Sequence, residues 1–179
     1  PNPFPALVSL LFLCLASEPV KTQELPGYIG SRSCETCHAA IFKAWAGSHH
    51  GLAWTEPTDE TVLGDFNDVA FAHKGRTTRF FREDGRFMIE TSDVTGGPRR
   101  FAVKGVVGVA PLQQYLVETE PGRLQSFDVV WDTVRKVWYH LYPDQELPPE
   151  EAFHWSGPYK TWNARCAECH ATEYRRNYD

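Results

Sequence analysis

The sequence predicts an α+β protein in which helices and loops pack on a mainly antiparallel β meander. Three observations lead to that class. Two short segments, residues 31–51 and 163–172, share one local motif, and the first continues into a run of helical apolar spacing. Between them, from residue 77 to residue 143, runs rich in Phe, Val, Tyr and Trp alternate with Gly-containing turns, which is the pattern of strands. The 179 residues, 42% hydrophobic and 23% charged, amount to one globular domain with a core of its own.

The elements follow in chain order. Residues 1–23 are expected to stand outside the fold: residues 6–16 are an apolar run of export-signal length, too short to span a membrane, and small residues at 14 and 16 suit cleavage after Ala16. Residues 1–16 are therefore assigned to an export-signal remnant. Acylation of Cys14 is disfavoured by the bulky Leu13, and a structural helix by Pro1, Pro3 and Pro5. The domain proper runs over residues 17–179, with a first motif segment at 27–60, a β insert at 61–147 and a second motif segment at 148–179.

In the first segment, "AAIFKAWAGS" (39–48) places Ile41, Phe42 and Trp45 on one side of a short helix. "TTRFFREDGRFMIET" (77–91) reads as two strands around an Asp84-Gly85 turn. "RRFAVKGVVGV" (99–109), "LQQYLVETEPGRLQSFDVVW" (112–131, turning at Pro121-Gly122) and "RKVWYHLYP" (135–143) extend this to five or six strands. "DQELPPEEAF" (144–153) is a linker to the second segment, where Trp155, Tyr159 and Trp162 cluster.

Composition excludes one class of partner. A net charge of −5 without a basic stripe offers nothing for a nucleic-acid backbone. Six Trp, seven Tyr and eleven Phe supply flat apolar surface, which suits a planar ligand and equally an ordinary core.

The chemistry lies in the cysteines. With Cys14 set aside, Cys34, Cys37, Cys166 and Cys169 remain, and every one belongs to a C-x-x-C-H unit. Two disulfides would be the usual reading in an exported protein, but a C-x-x-C disulfide is a redox motif and no thioredoxin-like context surrounds either pair. Four thiolates of two knuckles suit zinc, yet Cys37 and Cys166 lie far apart along the chain and zinc gives no reason for a His after each pair. Covalent attachment of c-type haem accounts for all three residues. The two thiols can add to the two vinyl groups of one porphyrin, and the next residue is held beneath the iron, so His38 and His170 are the expected proximal ligands. Two haems c, with their iron, are the expected cofactors. Periplasmic or other exported localisation follows from the signal and from where haem is attached.

The stretches "YIGSRSCETCHAAIFKAWAGSHHGLAW", "GVAPLQQYLVETEPGRLQSFDVVWD", "WYHLYP", "FHWSGPYKTWNARCAECHAT" and "YRRNYD" resemble the N-terminal part of bacterial multihaem cytochrome c proteins, which often carry tetratricopeptide repeats further on. Their haem segments in turn are similar to the tetrahaem cytochromes and the hydroxylamine oxidoreductase superfamily. The likeness covers nearly all of residues 27–179 and implies electron transfer, without naming a substrate.

Distal ligation decides which chemistry is open. The spare histidines are His49, His50, His73, His140 and His154. His50 stands first, because Trp45, Ser48 and His50 form a W-x-x-S-x-H pattern that resembles the distal segment of the multihaem relatives, and it can serve a neighbouring haem rather than its own. His154, between Phe153 and Trp155, is second; His49, His140 and His73 rank lower, each being equally well explained as a surface or hydrogen-bonded histidine. Met88 belongs to a strand pattern rather than to an axial position. Trp45, Trp155 and Trp162 suit either a porphyrin face or an ordinary core.

Three functional classes follow. An electron carrier with bis-histidine haems is favoured, since no nucleophile or phosphate loop is present and the cofactor carries the chemistry. A multihaem oxidoreductase acting on a small nitrogen or sulfur compound would need an open iron, with Arg76, Arg79, Arg82, Arg99 and Arg100 either attracting an anion or forming a solvated sheet face. A redox-responsive scaffold would need downstream repeats. The expected partners are redox proteins or further haems of a longer chain, and both a free and a membrane-associated protein fit the sequence.

Overall fold

The computed structural model describes residues 29–92, 97–171 and 174. The proposed export-signal remnant, its Cys14 and most of "YRRNYD" lie outside the described residues. A 3₁₀ turn, Ser31–Cys34, leads into helix α1, Glu35–Ala46. Eight strands follow: β1 Val69–His73, β2 Arg76–Glu83, β3 Arg86–Ser92, β4 Pro98–Val107, β5 Leu112–Glu120, β6 Arg123–Ser126, β7 Val129–Asp132 and β8 Val137–His140. Two four-residue helices, α2 Trp162–Arg165 and α3 Ala167–His170, close the described chain.

Every strand pairing is antiparallel, in the order β1-β2-β3-β4-β5-β7-β8, with β6 also paired to β5. The sheet curls into a nearly closed barrel, and β1 and β8 approach across its seam, where the His73 and His140 rings stack with centroids 4.8 Å apart. This corrects the expected α+β class with haem-binding helices packed on a meander. No residue of α1 is buried, and α2 and α3 are single turns, so among the described residues no helical layer covers the sheet.

The physical reason is that the strands satisfy both of their faces without helices. Inside, cross-strand partners Phe80, Ile89 and Phe101 form one continuous row, with Phe80 and Ile89 fully buried. Phe66, carried in from the loop before β1, fills the centre and meets Phe80, Phe87, Tyr115 and Trp138 edge-on at 5.1–5.6 Å. Outside, Phe81 is roofed by the guanidinium groups of Arg79 and Arg100, 4.5 and 5.4 Å above its ring. Arg100 is also ion-paired to Glu83 at 2.9 Å and Glu90 at 2.7 Å, while Arg79 and Arg82 bond Asp68 and Asp59. Arginine stems thus cover apolar surface while their heads stay wet. Met88, 6% exposed, lies in β3 beside this cover, as a sheet residue.

A buried polar network holds the 58–66 loop in place. Gln113, 2% exposed, accepts the Leu63 N–H at 2.8 Å and the Tyr115 hydroxyl at 2.6 Å, and donates to the carbonyls of Thr61 and Gly108 at 2.9 and 3.2 Å. The Tyr115 oxygen in turn accepts the Gly64 N–H at 2.9 Å, and burial pushes its phenol well above its ordinary pKa. A side chain at Gly64 would collide with that hydroxyl and the Trp138 ring, so glycine is what permits the approach.

The strand boundaries around Asp84-Gly85 and Pro121-Gly122 fall where the turns are expected. Strand β1 is additional, and the 112–131 run divides into three strands because β5 pairs with β6 along most of its length and with β7 at its start.

Candidate functional site

In a helix, residues at i, i+3 and i+4 share one face, so C-x-x-C-H sets both thiols and the imidazole on one side of a turn. The second motif has this closure: the Cys169 and His170 N–H groups both donate to the Cys166 carbonyl, at 3.1 Å each. In the first motif Cys34 ends the 3₁₀ turn, Cys37 lies in the first turn of α1, and His38 departs from helical geometry (φ −128°, ψ 41°), kinking the helix at the residue expected to bind iron. Cys34, Cys37 and Cys169 are free and exposed, Cys166 is free and half-buried, and both motif histidines are exposed.

The surroundings fit a large planar group. Helix α1 leaves Ile41 69% and Trp45 42% exposed beside the free thiols, an apolar face that ordinary packing would have covered. At the second motif, Trp162 and Ala167 are buried with Leu116 of β5, beside Cys166. Two indole N–H groups, of Trp54 and Trp162, are buried there without a partner among the described residues. A haem c attached through the thioethers would find an apolar bed and free donors at this place.

The second motif is fastened to the barrel. Asn163 Oδ1 accepts the Leu124 N–H at 2.7 Å, Gln125 bridges to Thr161, and Gln125 Nε2 donates to the Ser156 and Gly157 carbonyls at 2.8 and 3.2 Å. Lys160 pairs with buried Asp128 at 2.9 Å; burial raises the Asp128 carboxyl above its ordinary value, with the lysine opposing. The first segment reaches the same place. Thr55 and Val106 exchange two 2.9 Å backbone bonds, and the Trp54 ring lies 6.4 Å from that of Trp162, over Gly105, where any side chain would strike the indole. Trp54 therefore joins the chain leaving the first motif to the chain entering the second. Sequence reasoning missed it, although "GLAW" adjoins the histidine pair.

The other aromatics divide. Trp155 belongs to the barrel core, edge-on to Phe101 at 5.3 Å and Phe127 at 5.1 Å, while Trp45 stays at the surface against Phe42 at 5.8 Å.

The spare histidines form two groups. His49 and His50 are exposed in the turn after α1, which Ser48 folds back by donating to the Trp45 carbonyl at 2.6 Å and accepting the Gly51 N–H at 3.2 Å. His73, His140 and His154 instead line one cavity at the barrel seam, which no cysteine or histidine of either motif lines. Among the described residues, no three Cys, His, Asp or Glu side chains stand in a metal-holding arrangement.

His154 is 5% exposed, and its pKa is lowered to about 4 by burial first and then by Arg76 and His140, with Glu150 opposing. The folded state thus holds this ring neutral where the unfolded chain protonates it, so stability is complete above about pH 6.5 and falls as pH drops toward 4. His154→Phe is expected to flatten urea-unfolding stability over that range by up to about 3 kcal/mol. An unchanged acid limb would contradict this assignment.

Residues 33–74 match the family model of cytochrome c554 and c-prime. The matched stretch holds the first C-x-x-C-H, His49, His50 and His73, and it supports a c-type cytochrome with covalently bound haem c and iron. No curated protein and no solved structure matches the chain.

Proposed function

We propose that the chain is an electron-transfer module of an exported multihaem cytochrome, with one haem c on Cys34, Cys37 and His38 and a second on Cys166, Cys169 and His170. One observation carries the reading furthest: the chain has two C-x-x-C-H turns with free thiols, and the segment that follows the first meets the segment that enters the second at the Trp54–Trp162 contact. Bound iron supplies one-electron chemistry, ferric to ferrous. The cysteines would anchor the macrocycle through thioethers, His38 and His170 would each offer an imidazole nitrogen to its iron, and the apolar residues of α1 and Trp162 would lie against it. Electrons would pass from these sites to a redox partner protein or to further haems of a longer chain. His50 is assigned as a distal ligand, since its exposed turn leaves the ring free to reach an iron.

Mass spectrometry of protein made in a periplasmic haem-ligation host is expected to show two covalent haems, and Cys34→Ala with Cys37→Ala to remove one. Absence of any mass increase overturns the reading. Optical spectra should be low-spin, and His50→Ala should turn one haem high-spin and open to carbon monoxide while both thioether pairs persist. An unaltered spectrum would remove His50 from the ligand set.

A further inference from the structure

The cavity at the barrel seam, about 80 Å³, is too small for a porphyrin and large enough for a ligand of a few heavy atoms. Its polar wall is unusual. His154 is 5% exposed, and its Nε2 has no hydrogen-bond partner among the described residues; the Nε2 of His73 is likewise buried and without a partner among them. Burying such groups unpaired costs stability, a cost that a ligand would relieve.

The tautomers identify what that ligand must be. Nδ1 of His154 lies 2.8 Å from the Ser156 hydroxyl and accepts the Ser156 backbone N–H at 3.3 Å, and Nδ1 of His140 accepts the Tyr142 N–H at 3.1 Å. A ring nitrogen that accepts an N–H carries no proton, so, with the Ser156 hydroxyl also donating to His154, both neutral rings bear theirs on Nε2. Metal ligation through Nε2 would need the reverse, with Nδ1–H donating to an acceptor. The cavity therefore presents N–H donors and calls for acceptor atoms.

The charges agree. Lys74 and Arg76 line the cavity from exposed positions. Asp128 is neutralised by Lys160 at 2.9 Å, and Glu146 is the other lining carboxylate, so these five groups leave an excess of positive charge. Glu150 acts on His154 from the following segment, more weakly than Arg76 does. Thr78 and Thr91 are occupied by each other at 3.1 Å.

We propose that the seam cavity binds a small oxyanion, with the Nε2 groups of His154 and His140 donating to its oxygens, the buried His73 ring beside them, and Arg76 and Lys74 supplying the charge. Inorganic oxyanions and small carboxylates share this chemistry. The site is separate from both cysteine motifs and independent of their haem assignment.

The test uses the full chain, made with its haems and labelled with ¹⁵N at histidine. Phosphate, nitrate and acetate are titrated separately at constant ionic strength in chloride while the imidazole nitrogens are followed by NMR. Saturable shifts of His154 and His140 with at least one probe are expected; phosphate or nitrate would identify an inorganic ligand, and acetate a carboxylate. His154→Phe, which keeps a ring but removes the donor, should weaken binding by about ten- to a hundredfold with the haem absorption bands unchanged. If that variant fails to fold, Arg76→Gln at the exposed rim should still weaken binding by about tenfold. No saturable shift with any probe, undiminished affinity in the folded variants, or uptake of zinc ion by these rings would overturn the proposal.

Discussion

Phe66→Ala is expected to cost about 3–5 kcal/mol of stability, read as a lowered urea midpoint in near-ultraviolet circular dichroism. Phe66 is 3% exposed and is not on a strand, so the barrel's hydrogen-bond ladders stay formally intact when its side chain is removed. What is lost is the hub of the aromatic core, where four rings meet it at 5.1–5.6 Å. The Leu63 and Gly64 N–H bonds to Gln113 and Tyr115 hold the loop backbone on the barrel, so the walls cannot collapse fully into the cavity. Since domain stability is about 5–15 kcal/mol, this single change should leave a marginal fold. Phe66→Leu should fall between wild type and alanine, and a loss below about 1 kcal/mol in Phe66→Ala would place the centre of the core elsewhere.

The second large effect concerns the junction of the motif segments. Trp162→Ala is expected to lose about 3–5 kcal/mol and to reduce haem attachment at Cys166 and Cys169. Trp162 is 6% exposed, packs with Leu116 and Ala167, and stands at the start of the turn that ends in the second motif. Trp54→Ala should perturb the same place from the first segment. In a double-mutant cycle the two should be coupled by about 0.5–1.5 kcal/mol, as expected for neighbouring aromatic rings. Additive losses would mean that the 6.4 Å ring contact does not join the segments.

Several features were legible in the chain because they depend on near neighbours. The Asp84-Gly85 and Pro121-Gly122 turns are local, with Asp84, Gly85 and Gly122 all at positive φ. Alternation marked most strands for the same reason, since side chains point to opposite faces at every second residue. The two C-x-x-C-H units are likewise complete within five residues each. Other features were not legible. The role of Phe66 rests on partners from β2, β3, β5 and β8, none of them near it in sequence. The lack of a helical layer was hidden because α1 has the apolar spacing of a packed helix, although no strand receives its face.

By itself the sequence determined the two C-x-x-C-H units, the turns and the strand-rich middle, because each is written in spacing over a few residues. Only the tertiary structure decided that the strands curl into a barrel, that Trp54 and Trp162 bring the motif segments together, and that His73, His140 and His154 gather at the seam. The reason is closure: when the sheet curls, its first and last strands approach, and histidines at positions 73, 140 and 154, well separated along the chain, come to face one cavity.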